Sequence, residues 1–195
     1  MKKKGVLREW IEAAIIAGLL VTFVKTFFFQ IYKIPTTSMV PALIPGDKIF
    51  VSKLTYGPQV PFTRLRFPGF RKPQRYEILV FMPPHEKRNP WFKRKRYVKR
   101  IIGIGGDHVQ IKDGNLYING EVVKDARVAS NYYYNHSPYG EENKETIVPE
   151  GKYFFLGDNS ISSLDSRFWG FADYEDVIGQ AIFIWWPPNR IGLIE

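Results

Sequence analysis

From Ile34 onward the apolar residues of this chain come in short runs cut off by proline or glycine, with little 3.6-residue periodicity. The 195 residues include 16 glycines and 14 prolines. Proline ends helices and glycine weakens them, so few helices survive such punctuation. The spacing predicts strands at 48–52, 77–82, 97–104, 108–112, 115–119, 152–156 and 177–186. Asp113-Gly114 and Asn119-Gly120 are two-residue hairpin signals. The expected body is mostly β and antiparallel, with a smaller inserted lobe. Two stretches, 56–75 and 127–145, are expected to be insertions that form loops or that lobe.

The N-terminal part is different. Residues 11–29 are apolar except for Glu12, Thr22, Lys25 and Thr26. As a helix they reach about 28 Å, close to the ~30 Å hydrocarbon thickness of a bilayer. The segment is expected to span once, which divides the chain into an anchor at 1–31 and a catalytic body at 32–195. A cleavable leader has the same basic start, but Phe27 to Tyr32 offer no small-x-small cleavage site. A buried core helix is the other alternative. Lys2, Lys3, Lys4 and Arg8 precede the segment, so the positive-inside rule keeps the N-terminus in the cytoplasm and places the body on the outer face of the cytoplasmic membrane.

Net charge is +9, with much of the excess in Lys87-Arg88 and in Lys93 to Arg96. Anionic lipid and nucleic acid both suit such a surface. Beside an apolar segment lipid is the more economical partner, and no nucleic acid is expected. The chain has no cysteine, which excludes disulfides, thiol catalysis and Cys-ligated zinc. No metal and no cofactor are expected, and the oligomeric state is left open.

Ser38 lies only a few residues past the apolar segment. A serine hydroxyl needs a base to become a nucleophile. His85, His108 and His136 lie in a charged loop, at a strand start and among tyrosines, and no serine sits in Gly-x-Ser-x-Gly. Lys99 is the alternative base, inside the strand-like run Tyr97 to Gly103. To act near neutral pH its pKa must fall by about three units, worth ~4 kcal/mol, a shift that burial can supply. Strand alternation puts Lys99 and Arg100 on opposite faces, so one of them can point inward; equally, both can face solvent. A third polar stretch, Gly157 to Gly170, carries Asp165 and Arg167 in what is expected to be a hydrogen-bonded turn.

Four segments in order resemble the type I signal peptidases, the membrane-anchored Ser-Lys endopeptidases that remove signal peptides from exported proteins. They are Ile34 to Pro41, Gly46 to Val51, Lys99 to Asp107, and Gly157 to Arg167. The resemblance implies a β fold shared with self-cleaving repressor proteases, with Ser38 as nucleophile and Lys99 as general base and then acid. It implies that Ser163 orients the lysine amine and that the Ser38 N–H and the Thr36 hydroxyl form the oxyanion hole. Asp165 and Arg167 would brace the site, and Asp158 would hold the turn. Tyr32, Ile34, Leu43 and Val98 match positions lining pockets that select small-x-small before the cut. Thr37 stands where many members have glycine, Ala42 where threonine is frequent, and Thr36 where serine is common. Two rivals are a self-cleaving regulator, for which no DNA-binding helical pair is apparent, and a non-catalytic membrane-tethered binding module.

Overall fold

The structure, a computed structural model, describes residues 5–60, 63 and 65–194. The flanking Lys2, Lys3 and Lys4 lie outside the described residues, as do positions 61, 62 and 64 of the first expected insertion. The elements are α1 (Val6–Phe27), β1 (Phe29–Lys33), β2 (Lys48–Ser52), β3 (Ile78–Phe81), β4 (Tyr97–Ile104), β5 (His108–Lys112), β6 (Asn115–Ile118) and β7 (Glu121–Val122). Then follow α2 (Ala126–Ala129), β8 (Thr146–Ile147), β9 (Lys152–Leu156), α3 (Ser166–Trp169), β10 (Ala172–Asp173), β11 (Val177–Trp186) and β12 (Gly192–Leu193). The expected strands form, with ends trimmed by a residue at β3 and β6.

The apolar run at 11–29 divides differently from its expectation. α1 starts earlier, at Val6, and ends at Phe27. Phe29 to Lys33 instead pair antiparallel with β2, from Phe29 opposite Ser52 to Lys33 opposite Lys48. Phe29, Gln30 and Ile31, assigned above to the anchor, therefore belong to the sheet. Phenylalanine and isoleucine suit either state, and the paired partner decides. α1 is the one helix among the described residues long and apolar enough to cross a membrane, and none of its residues is buried by the rest of the protein.

The large sheet runs β1-β2-β11-β3-β4-β9-β10, with β12 added to β11. Ten-residue β11 is its spine, antiparallel to both β2 and β3. One apolar cluster gathers Ile34, Met39, Leu43, Ile49, Val51 and Val80. A second gathers Tyr56, Leu79, Phe81, Ile101 and Phe155, where the Phe81 and Phe155 rings stack at 4.0 Å. β4 lies between β3 and β9.

A smaller sheet, β7-β6-β5-β8, has its own core of Val109, Ile111, Leu116, Tyr133 and Val148. Its two hairpins turn through Asp113-Gly114 (φ 49° and 77°) and Asn119-Gly120 (φ 54° and 82°). Two consecutive positive φ values are the type I′ signature that these dipeptides favour. Much of the 127–145 stretch folds onto this lobe: Tyr133 is buried in its core, and the Asn135 amide donates to the Ile111 carbonyl at 2.9 Å.

The two turn glycines separate backbone strain from crowding. A Cβ at Gly114 would lie 2.1 Å from the Tyr132 ring, whereas one at Gly120 meets nothing within 4 Å. Gly120→Ala should cost only the positive-φ strain, about 1 kcal/mol, and Gly114→Ala about 1–3 kcal/mol more. Thermal melts of the detergent-solubilised variants should show the larger drop for Gly114→Ala, at about 2–4 °C per kcal/mol. Equal drops would mean that Tyr132 yields freely.

Candidate active site

β1 delivers the chain into a turn that carries Ser38. That turn is closed at its base by backbone bonds from Ile34 N–H to Asp47 O (2.8 Å) and from Gly46 N–H to Ile34 O (2.9 Å). Asp47 is fully buried and accepts two hydrogen bonds from Arg190, at 2.9 and 3.0 Å, while Arg190 also donates to Ala42 O at 3.1 Å. Met39 is buried in the apolar cluster beneath the turn. Anchored on both sides, Ser38 presents its hydroxyl inward rather than to water.

Lys99, in the middle of β4, is 4% exposed, and its Nζ lies 2.5 Å from the Ser38 Oγ. Burial lowers its pKa from 10.5 to about 8, against the opposing pull of Asp165 and Asp158 and with help from Arg167. Loss of hydration penalises the ammonium, not the amine. The Thr36 Oγ1 lies 3.4 Å from the same serine oxygen, on an exposed residue.

The turn that follows β9 closes the site from the other side. Asn159 N–H donates to Ser38 O at 3.1 Å. Gly157 makes this approach possible: a Cβ there would lie 2.4 Å from Ser38 O and 2.3 Å from the Ser163 Oγ. The Ser163 hydroxyl is buried and has no hydrogen-bond partner among the described residues, so it does not contact the Lys99 amine as a hydrogen bond here. Asp165 caps α3 and accepts from the Gly157 N–H (3.1 Å) and from Arg167 Nε and Nη2 (2.8 Å each). Arg167 also reaches Tyr134 O, the Ser160 Oγ and Ser160 O.

Asp158 holds the turn through a partner that the sequence did not indicate. Both of its oxygens accept from Arg100, at 2.9 and 2.8 Å, in a pair almost wholly removed from solvent. Lys99 and Arg100 are thus both buried, and solvent exposure of the two is ruled out. Arg190 was likewise missed, because its partner Asp47 lies 143 residues away. A buried aspartate inside a polar motif is the one local hint that an arginine must come from elsewhere.

Tyr32, Ile34, Leu43 and Val98 come together in one apolar cluster. Ile34 is buried, Tyr32 and Val98 are half-buried, and Leu43 is wholly buried behind them. The three histidines take other roles: His85 faces Tyr97 at 3.3 Å, His108 pairs with Glu145 at 2.9 Å, and His136 packs on Phe168. Among the described residues, no three His, Cys, Asp or Glu side chains are grouped so as to hold a metal ion.

Breaking one member of a buried ion pair leaves an uncompensated charge and typically costs about 3–5 kcal/mol. Asp158→Ala should therefore destabilise strongly, and Arg100→Met combined with Asp158→Leu should cost much less than the sum of the single changes. Denaturant melts of the four proteins in the cycle give the coupling. Additive losses would mean that the pair does not act as a unit.

The family model described as signal peptidase, peptidase S26, matches residues 7–186. A probable signal peptidase I-2 from Synechocystis sp. is 34% identical over 95% of this chain and 77% of its own length. A signal peptidase I from Bacillus licheniformis is 35% identical over 97% of this chain and 94% of its own. A crystal structure of a signal peptidase I from Enterococcus faecalis aligns with 56% of this chain and 97% of its own, at 35% identity and a TM-score of 0.43. With a family match across nearly the whole chain and relatives of this similarity, the chain belongs to the signal peptidase family, peptidase S26, and is a serine endopeptidase of the signal peptidase I type.

Proposed function

We propose that this chain removes signal peptides from exported preproteins by Ser-Lys acyl-enzyme catalysis, cutting after a small-x-small pattern. Family membership carries the coarser statement, signal-peptide removal from preproteins. The observation that carries the finer one is the buried 2.5 Å contact between the Ser38 hydroxyl and the Lys99 amine.

The neutral Lys99 amine takes the Ser38 proton as Oγ attacks the scissile carbonyl. The developing oxyanion is held by the Ser38 N–H and the Thr36 hydroxyl, a class of donor worth about 2.7–4 kcal/mol each in the transition state. Collapse breaks the C–N bond, and the Lys99 ammonium returns its proton to the leaving amine. Water then attacks the acyl-serine with Lys99 again as base, releasing the signal peptide's carboxylate and restoring Ser38. Ser163, whose buried hydroxyl has no other partner among the described residues, orients the amine through the cycle. Asp165 and Arg167 brace the turn, and Asp158 holds it to β4.

Tyr32, Ile34 and Val98, with Leu43 behind them, wall shallow apolar pockets that a large side chain overfills. α1 anchors the protein in the cytoplasmic membrane as a single span, with the N-terminus in the cytoplasm and the catalytic body on the outer face beside the emerging signal sequence. Insertions at 56–75 and 127–145 decorate that body.

Ser38→Ala and Lys99→Ala should each abolish preprotein cleavage, and the double variant should be no worse than either, since nucleophile and base act as one unit. Near-normal turnover by Lys99→Ala would remove lysine from the mechanism. Because the amine must be neutral, kcat/KM should rise with pH through about 8 and then level. A profile still climbing at about pH 10, the ordinary lysine range, would contradict the assignment. In a peptide series, alanine at the first and third positions before the cut should be best. Equal cleavage after phenylalanine would show that these four residues do not wall the pockets.

A further inference from the structure

The turn that closes the site after β9 has its polarity reversed. Asp158, Ser160, Ser163, Asp165, Ser166 and Arg167 are all buried, while the apolar side chains between them point out: Ile161 is 75% exposed, Leu164 47% and Phe168 37%. Water alone favours the opposite arrangement, and an exposed apolar surface of this kind marks a place where something docks.

The buried polar groups hold the apolar ones in a fixed array. Arg167 binds Asp165, Tyr134 O, Ser160 O and the Ser160 Oγ. The Phe155 N–H donates to the Ser166 Oγ at 2.8 Å, which ties the turn to β9. Tyr134, 48% exposed, is drawn in by its own N–H, which donates to the Ser160 Oγ at 2.9 Å. Ile161 adjoins Ser160, Phe168 adjoins Arg167, and both Ser160 and Arg167 bond Tyr134, so the exposed side chains gather around one point. Phe168 is backed by His136, with ring centres 3.8 Å apart.

This apolar ledge begins next to the Ser38 turn. Asn159 N–H donates to Ser38 O, and Ile161 lies two residues further on, within about 7 Å of Asn159 along the chain. Leu164 follows Ser163, whose Oγ crowds Gly157 together with Ser38 O. Tyr32, Ile34 and Val98, which wall the pockets for residues before the cut, belong to β1, its end and β4. A substrate strand held there at its scissile carbonyl continues after the cut past the turn on the other side of Ser38.

We propose that Ile161, Leu164 and Phe168, with Tyr134, receive the first residues of the mature chain and favour an apolar side chain at the second to fourth position after the cut. The inference rests on the Ser38–Lys99 reading above. An extended chain advances about 3.3 Å per residue, so those positions lie roughly 7–13 Å past the scissile carbonyl, within reach of the ledge. Continuity with the Ser38 turn favours substrate over a second copy. β9 lies toward the opposite end of the large sheet from β1, the strand into which α1 leads, and this favours polypeptide over the bilayer.

The test uses the full chain in detergent and short soluble peptides with alanine at the first and third positions before the cut. In one peptide the residues after the cut are all serine, and in the others leucine replaces serine at one position from the second to the fifth. Leucine at one of the second to fourth positions should raise kcat/KM several-fold over the all-serine peptide. Ile161→Ser combined with Leu164→Ser should bring that ratio close to one, and the volume-conserving pair Ile161→Leu with Leu164→Ile should keep it. Equal rates on all peptides by the parent chain would overturn the assignment and leave the ledge to lipid or a second copy. A serine double variant that loses the same fraction on every peptide keeps the ratio; its two side chains then support the turn, and the proposal fails. A changed oligomeric state on sedimentation with an unchanged ratio would give the ledge to a second copy and also overturn it. If the parent chain cleaves no peptide of either kind, the Ser38–Lys99 reading fails and the ledge assignment falls with it.

Discussion

The burial of one lysine amine against one serine hydroxyl makes demands on the whole body of this protein. An amine kept from water at the centre of a sheet favours its neutral form, and here burial brings Lys99 down to about 8. That depression has a stability cost. Between about 8 and the unfolded value of 10.5 the unfolded chain holds the extra proton, so stability rises with pH across that window. At neutral pH burial of the amine costs about 3 kcal/mol on an order-of-magnitude basis. The fold must supply that from elsewhere, and β4 does so by lying between β3 and β9 with Ile101 and Ile102 fully buried.

Three aspartates bring the Ser38, Lys99 and Gly157 segments together, and each takes an arginine in two hydrogen bonds: Asp47 with Arg190, Asp158 with Arg100, and Asp165 with Arg167. The first fixes the Ser38 turn to the chain near the end of β11, the second fixes the Gly157 turn to β4, and the third caps α3. Their pairing also matters for the amine. Asp165 and Asp158 both favour protonated Lys99, and Arg167 opposes them. An unpaired carboxylate beside Lys99 would favour its charged form more strongly. Arg167 thus acts structurally on its own loop and electrostatically on a residue it does not bond.

Much of this was legible in the chain. Period-two runs and the dipeptides Asp113-Gly114 and Asn119-Gly120 located strands and hairpins, because turn chemistry and strand alternation are local. The ordered motifs around Ser38, Lys99 and Gly157 marked three segments that the fold brings into contact. Local alternation could place Lys99 or Arg100 inward but not both, since burial of both faces of β4 depends on neighbours far away in sequence. The arginine that meets Asp47 was invisible for the same reason. Likewise, nothing in 56–75 signalled that Arg66 would turn inward and Phe70 outward, which depends on the carbonyls of Gly57 and Val177 being in reach. The helix end was misplaced at Phe29 because an apolar run does not distinguish lipid from a sheet partner.

The account depends on a neutral amine at Lys99, and its own titration is the most direct test. Isotopic labelling of lysine in the detergent-solubilised protein, with Lys99→Arg to assign the signal, allows the side-chain resonance of Lys99 to be followed by NMR across pH. A midpoint near 8 is predicted. A midpoint at about 10 or above, the range of a hydrated lysine, would contradict a desolvated base and with it the proposed chemistry.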